Sequence, residues 1–161
     1  MDILILLVIA AVIIAIGMIA KTYYRTEAEQ DKFWINSAEA HNSLLNKALK
    51  DIDKDNEELR ALLNRNVTRF YPRLPFRTEG YTNFINMMKE QLQGNEGVPA
   101  LISDKKAHAY DGCIILTYNF IMKIKRDGNE MDVSGKATRV WARDKNSSRF
   151  SLAHEHISFY G

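Results

Sequence analysis

The stretch from Ile3 to Ala20 constrains this chain more than any other. It reads ILILLVIAAVIIAIGMIA, eighteen residues with no charge, amide or proline. A helix rises about 1.5 Å per residue, so eighteen residues cover roughly 27 Å, close to the ~30 Å hydrocarbon core of a bilayer. A helix also satisfies its own backbone polar groups, which lipid demands. The segment therefore reads as a transmembrane helix over residues 1–22. Asp2 precedes it, Lys21 and Arg25 follow it, and the run is longer than the apolar region of a secretory leader, so it reads as a retained anchor. Tyr23 and Tyr24 suit the aromatic belt at a membrane surface. Lys21, Arg25 and Lys32 lie just beyond the span, which places the following domain in the cytoplasm. A periplasmic or lumenal domain is the alternative.

Between Gly17 and Pro72 there is no glycine or proline, so no flexible linker is written after the anchor. The reading is a helical stalk over residues 23–35 and a folded domain over 36–161. With 22 basic and 20 acidic residues, the chain has no overall field for nucleic acid. A single cysteine, Cys113, excludes a disulfide framework.

Periodicity supplies the domain's elements. Trp34, Ala38, Leu45, Leu49 and Ile52 make one helical stripe thickened by Ala48, with Glu39, Asn42, Asn46, Lys50 and Asp53 on the other face. A second helix is predicted from about Asn56 to Leu63, with Asp55 as N-cap, then a β-like stretch over Val67–Tyr71. A third helix is predicted from about Tyr81 to Leu92, with Gly94 at C′. Beyond it the pattern turns to strands: 100–109, a long one over 111–126 that is apolar on both faces, 131–143 and 149–160. Asp127-Gly128 and residues 144–148 form the turns. The expected fold is α+β, three helices on one face of a bent antiparallel sheet.

No nucleophile elbow, phosphate-binding glycine loop or Cys–His pair is present. Period-two alternation puts Arg139 and Trp141 on one strand face, and Phe150, Leu152, His154, His156 and Ser158 on a face of the next. An interior arginine stays charged and needs an acceptor. It either pairs internally, with Glu39, Asp51, Asp53, Glu79 or Asp111, or anchors an anionic ligand. His154 and His156 fall short of a metal site, which takes three or four protein ligands. Asp111, Tyr118 and Tyr71 are candidate proton-transfer groups. Lys123, Lys125 and Arg126 cluster beside a hairpin tip and read as a solvated edge or a contact with anionic lipid. No metal or cofactor is expected.

Gly135-Lys-Ala-Thr-Arg-Val-Trp-Ala-Arg143, a turn and Phe150-Ser-Leu-Ala-His-Glu-His-Ile-Ser158 resemble the closing strands of SnoaL-like, nuclear transport factor 2-like domains. They are most similar to the association (hub) domain of calcium/calmodulin-dependent protein kinase II, with its T-R-V-W and H-x-H-x-S patterns. Thr68-Arg-Phe-Tyr-Pro72 and Thr78-Glu-Gly80 resemble earlier pieces of that family. The resemblance covers about Asn36 to Ser158. It implies a cone with a pocket at its wide end and pairing through the sheet. It also implies that Arg139 lines the pocket and can meet a carboxylate, with His154 and His156 matching the last-strand histidines. Tyr118 and Tyr71 fall where the hub family carries an arginine and a glutamate, so the pocket should be more aromatic and less cationic.

The favoured expectation is a non-catalytic assembly or accessory subunit, anchored in a bilayer and docking on itself or on a larger membrane complex. A pocket enzyme or small-molecule binder, taking a carboxylate or lipid-derived ligand, is the second. That reading predicts an open cavity at Arg139 with no protein carboxylate against it. A periplasmic secretion-machinery component is the third.

Overall fold

The computed structural model describes residues 3–49, 52, 57–72, 76–92, 101–126, 129–144 and 149–160; the side chains of 3–11, 91–92, 124–126 and 130 are outside that description. Two compact units result, 1–34 and 35–161. In the first, helix α1 (Ile3–Ala48, which continues into the second unit) carries residues 12–19 in the open. Ile13, Met18 and Ile19 are each at least 64% exposed. The polar groups that follow are satisfied locally: Thr22 and Thr26 donate to the carbonyls of Met18 and Thr22 at 2.9 Å, and Arg25 pairs with Glu29 at 2.9 Å. Among the described residues no helix is long and apolar enough to cross a membrane, so the expected membrane-spanning helix is not borne out.

The second unit follows the predicted order: α2 (Glu57–Leu62), β1 (Leu63–Phe70), β2 (Thr78–Glu79), α3 (Tyr81–Leu92), β3 (Leu101–Tyr110), β4 (Cys113–Arg126), β5 (Asn129–Arg143) and β6 (Phe150–Phe159). The stripe predicted on α1 is the buried one, with Ala38, Leu45, Ala48, Leu49 and Ile52 nearly inaccessible. Asp55, Gly94, Asp127-Gly128 and residues 145–148 lie outside the described residues. The strands form one bent, unclosed sheet ordered β2-β1-β6-β5-β4-β3. Its inner face carries Ile114, Leu116, Tyr118, Phe120, Ala137, Trp141, Leu152 and Ile157, all buried.

Four features depart from the sequence reading. The sheet is mixed, because β1 runs parallel to β6. Helix α2 gives way directly to strand at Leu63, four residues before the β-like stretch expected from Val67. Asp111 is an exposed turn residue of a tight β3–β4 hairpin, made possible by Gly112 at φ +80°. The fourth decides the site. Strand β6 has a bulge at Ala153, since Val140 pairs with His154 but the next residue, Trp141, pairs with Leu152. One extra residue reverses every side chain beyond it. Phe150 and Leu152 point inward as predicted, but Glu155 and Ile157 then inherit the interior, and His154 and His156 turn outward.

At the β3 edge another irregularity falls between Ser103 and Lys106, where Asp104 takes φ +46°. Lys105 and Lys106 are exposed there, and a bulged, charged edge discourages strand addition.

Candidate functional site

The bulge aligns three charged residues on one rung of the inner face. Arg69 of β1 pairs in register with Glu155 of β6, and Glu155 pairs in register with Arg139 of β5. All three are buried, at 2%, 1% and 3% exposure. Glu155 bridges the guanidiniums with one oxygen each: Oε1 accepts from Arg139 Nε at 2.7 Å, and Oε2 lies 2.7 Å from Arg69 Nε. The second contact is an ion pair by distance only, since the Arg69 Nε–H is not aimed at the oxygen and neither atom has a directed hydrogen bond.

The surroundings treat the two arginines unequally. Arg139 Nη1 donates to Asn42 Oδ1 at 2.6 Å and Asn46 Oδ1 at 2.8 Å, both on α1. Its guanidinium also lies over the ring of Tyr118 at 5.7 Å. Arg69 Nη1 donates to the thioether sulfur of Met88, a weak acceptor, and its guanidinium lies against Tyr71 at 5.0 Å and Phe84 at 5.6 Å. Burial disfavours charge on both. At Arg69 burial prevails and its pKa falls below the ordinary arginine value. At Arg139 Tyr118 and Glu155 outweigh burial, and the value rises. Burial pushes the Tyr118 phenol up against the pull of Arg139, so Tyr118 is neutral at pH 7 and Glu155 is the anion that holds both arginines. Burial would likewise raise Glu155, but Arg69 and then Arg139 overcome it and hold the carboxyl below the ordinary range.

The structure thus gathers Arg139 and Tyr118, with Trp141 next along the same strand face and Tyr71 reached through Arg69. Trp141 is fully buried, and its Nε1–H finds no acceptor among the described residues. His154, His156 and Asp111 are elsewhere. His154 shares a 2.8 Å hydrogen bond with Thr68 on the outer face of the sheet and packs on Phe70, which His156 also touches. Burial and then His156 lower its pKa. Among the described residues no group of three or more His, Cys, Asp or Glu is placed to hold a metal ion. A surface cavity of ≈ 540 Å³ beside the start of α3 is lined by Arg60, Arg65, Glu79 and Tyr81 among others, and none of Arg139, Tyr71, Tyr118, Trp141, His154, His156 and Asp111 lines it.

Arg69, Glu155, Asn42 and Asn46 were missed. Arg69 shares parity with Val67, which signals an inward arginine. Helical periodicity puts Asn42 on the face opposite the apolar stripe, yet it is 5% exposed because Arg139 reaches it. Asn42→Leu is expected to cost about 1–3 kcal/mol in chemical denaturation, because it strips an acceptor from a buried cation, whereas Ser43→Leu on the exposed side should be near neutral.

The bent, unclosed sheet and the helices among the described residues of the second unit have solved counterparts. The fold is nuclear transport factor 2-like. A nuclear transport factor 2-like superfamily protein from Salmonella enterica superimposes with TM-score 0.68 and 14% identity, covering 81% of this chain and 93% of that one. The hub of calcium/calmodulin-dependent protein kinase II from S. rosetta gives TM-score 0.60 and 20% identity, covering 78% and 96%. The association domain of the same kinase from C. elegans gives 0.62 and 20%, covering 81% and 98%. A nuclear transport factor 2-like protein from Streptomyces avermitilis, provisionally named a dehydratase, gives 0.66 and 14%, covering 81% and 98%. No family model matches the chain, and no characterised protein matches it by sequence. The neighbours therefore bear out the expected nuclear transport factor 2-like fold of the domain, while their names span hubs and enzymes.

Proposed function

We propose that this chain is a non-catalytic assembly subunit, held at a membrane by its apolar N-terminal segment and docking through the outer face of its sheet on a second copy. The observation that carries the reading is the Glu155–Arg139 pair. The residue best suited to orient an anionic substrate already holds a protein carboxylate, so the interior is built for structure. Meanwhile β4 is apolar on both faces. Its inner side is buried by the domain itself, but Ile115 and Ile121, with Val140 of β5 and Phe70 of β1, remain partly or largely exposed. A strand of that composition suits cover on both sides. Structural neighbours named a hub and an association domain fit such pairing.

The anchor rests on Ile3–Ala20 and on the exposed apolar residues of α1, which water tolerates poorly as a contiguous patch. Lys21, Arg25 and Lys32 favour a cytoplasmic domain, and protease protection in intact cells would show the periplasmic alternative instead. Mild detergent extraction followed by mass determination tests the whole reading. The expected result is a dimer or larger species that Phe70→Asp combined with Ile121→Asp reduces to a folded monomer. A wild-type monomer with no co-purifying partner would sink it.

A small-molecule binder is the second reading. The indole N–H of Trp141, two residues from Arg139 and without an acceptor among the described residues, favours it, because buried donors are normally satisfied. It predicts that wild-type protein gains thermal stability from a polar ligand and that Trp141→Phe removes the gain.

A further inference from the structure

We infer that Glu155 is a built-in ligand: Arg69 and Arg139 form a carboxylate-binding site that the chain's own side chain fills, and a free carboxylate can take its place once Glu155 is truncated. The inference goes beyond docking and does not depend on it.

The geometry is that of a bound anion. One carboxylate spans two guanidiniums, oxygen by oxygen, both contacts at 2.7 Å from Nε. The two arginines stand on strands either side of β6, so their spacing is set by the sheet and does not need the Glu155 side chain to establish it. The remaining surroundings hold the cations in place independently: Asn42 and Asn46 grip Arg139, while Tyr71, Phe84 and Met88 confine Arg69. With Glu155 ionised, the rung sums to one positive charge. Without it, two positive charges remain in the interior, a strong demand for an anion.

The shape of the deleted atoms sets the ligand. Glu155→Ala removes Cγ and the carboxylate, which correspond to acetate. Glu155→Gly also removes Cβ, which corresponds to propionate. Phosphate and sulfate are tetrahedral and larger, and chloride cannot bridge two donors by separate oxygens. Glu155 is in this sense a specificity determinant, the residue that keeps free carboxylates out of the interior.

Thermal melting of the full chain in sodium acetate, propionate and chloride at matched ionic strength tests this. Wild type should show no difference between salts. Glu155→Ala should rise by several degrees, saturably and most with acetate, and Glu155→Gly most with propionate. The double variant Glu155→Ala/Arg139→Met should lose the response, because the guanidinium that makes the directed bond to the carboxylate has gone, whereas Glu155→Ala/Arg69→Met should keep a weaker one. If Glu155→Ala does not fold in chloride, recovery of folded protein on refolding into acetate becomes the readout. No recovery, a response equal across salts, or an equal response in wild type would each overturn the inference. An equal wild-type response would at the same time favour the binder reading, whereas loss of dimerisation alone would leave the inference untouched.

Discussion

Glu155→Gln is expected to cost the domain about 3–5 kcal/mol, the range for breaking a buried ion pair, measured by urea denaturation at pH 7. The substitution keeps the volume, so the effect is electrostatic. It leaves two guanidiniums facing a neutral amide in the interior, where the native rung carries a single excess charge. Charge arithmetic orders the other members of the rung. Arg69→Met leaves Glu155 and Arg139 as a neutral pair with their directed 2.7 Å hydrogen bond intact, and removes a cation whose donors were poorly served. It should cost about 1 kcal/mol or less. Arg139→Met also leaves a neutral pair, but one without a directed bond, and strands the carbonyl oxygens of Asn42 and Asn46. It should fall between the two. Equal costs for Arg69→Met and Glu155→Gln would refute this account.

Acid should act on the same carboxyl. Glu155 in the folded domain is held below its ordinary value of 4.5, so the folded state binds its proton less readily than the unfolded chain does. Its contribution is fully present above the unfolded value and is lost as pH falls through the lower folded one. Stability should therefore drop below about pH 4.5 in the wild type, and that limb should flatten in Glu155→Gln. His154 acts in the same direction but earlier. Its value lies below 6.5 in the folded domain, so unfolding takes up a proton as pH falls through that region. Being only partly buried, it should give only a shallow slope.

The contrast between Glu155 and α3 shows how far the sequence could be read. Helix α3 was legible to both ends, because Phe84 and Met88 face inward on one turn-spaced stripe and Gly80, at φ +82°, accepts from the Phe84 amide as the helix starts. The long strands were legible from their composition, and Arg139 was legible as an interior arginine. Its partner was not. Period-two counting along β6 assumes an uninterrupted ladder, and the Ala153 bulge breaks it without glycine or proline to mark the place. A carboxylate between two histidines in His-Glu-His was consequently assigned to the wrong face. The parallel β1–β6 contact was hidden for a different reason. Pairing between strands about eighty residues apart leaves no local trace, so the reach of Arg69 to Glu155 could only come from the assembled sheet.

Gly135→Ala should be nearly as damaging as the loss of Glu155, and for a reason with no electrostatic content. Gly135 lies in mid-strand, opposite Phe120 on one side and Phe159 on the other. Its φ is not in the left-handed region, so an alanine backbone is unstrained there. Space is what is missing: an added Cβ would sit 2.3 Å from the carbonyl oxygen of Ser158 and 2.8 Å from Cζ of Phe120. The Phe120 ring packs edge-on against Phe159, which in turn packs on Tyr71, so it has little room to swing away. The carbonyl belongs to the neighbouring strand and moves only if the ladder moves. Overpacking of this kind costs about 1–3 kcal/mol where side chains can give way, and the upper end or beyond is expected where backbone must shift. Gly17→Ala, with nothing within 4 Å of the added carbon, is the matched control and should be neutral or slightly stabilising. The measurement is the urea midpoint of each variant. A Gly135→Ala midpoint equal to wild type would mean that β5 and β6 separate more readily than their pairing implies, and the close approach at Gly135 would then not be a requirement of the fold.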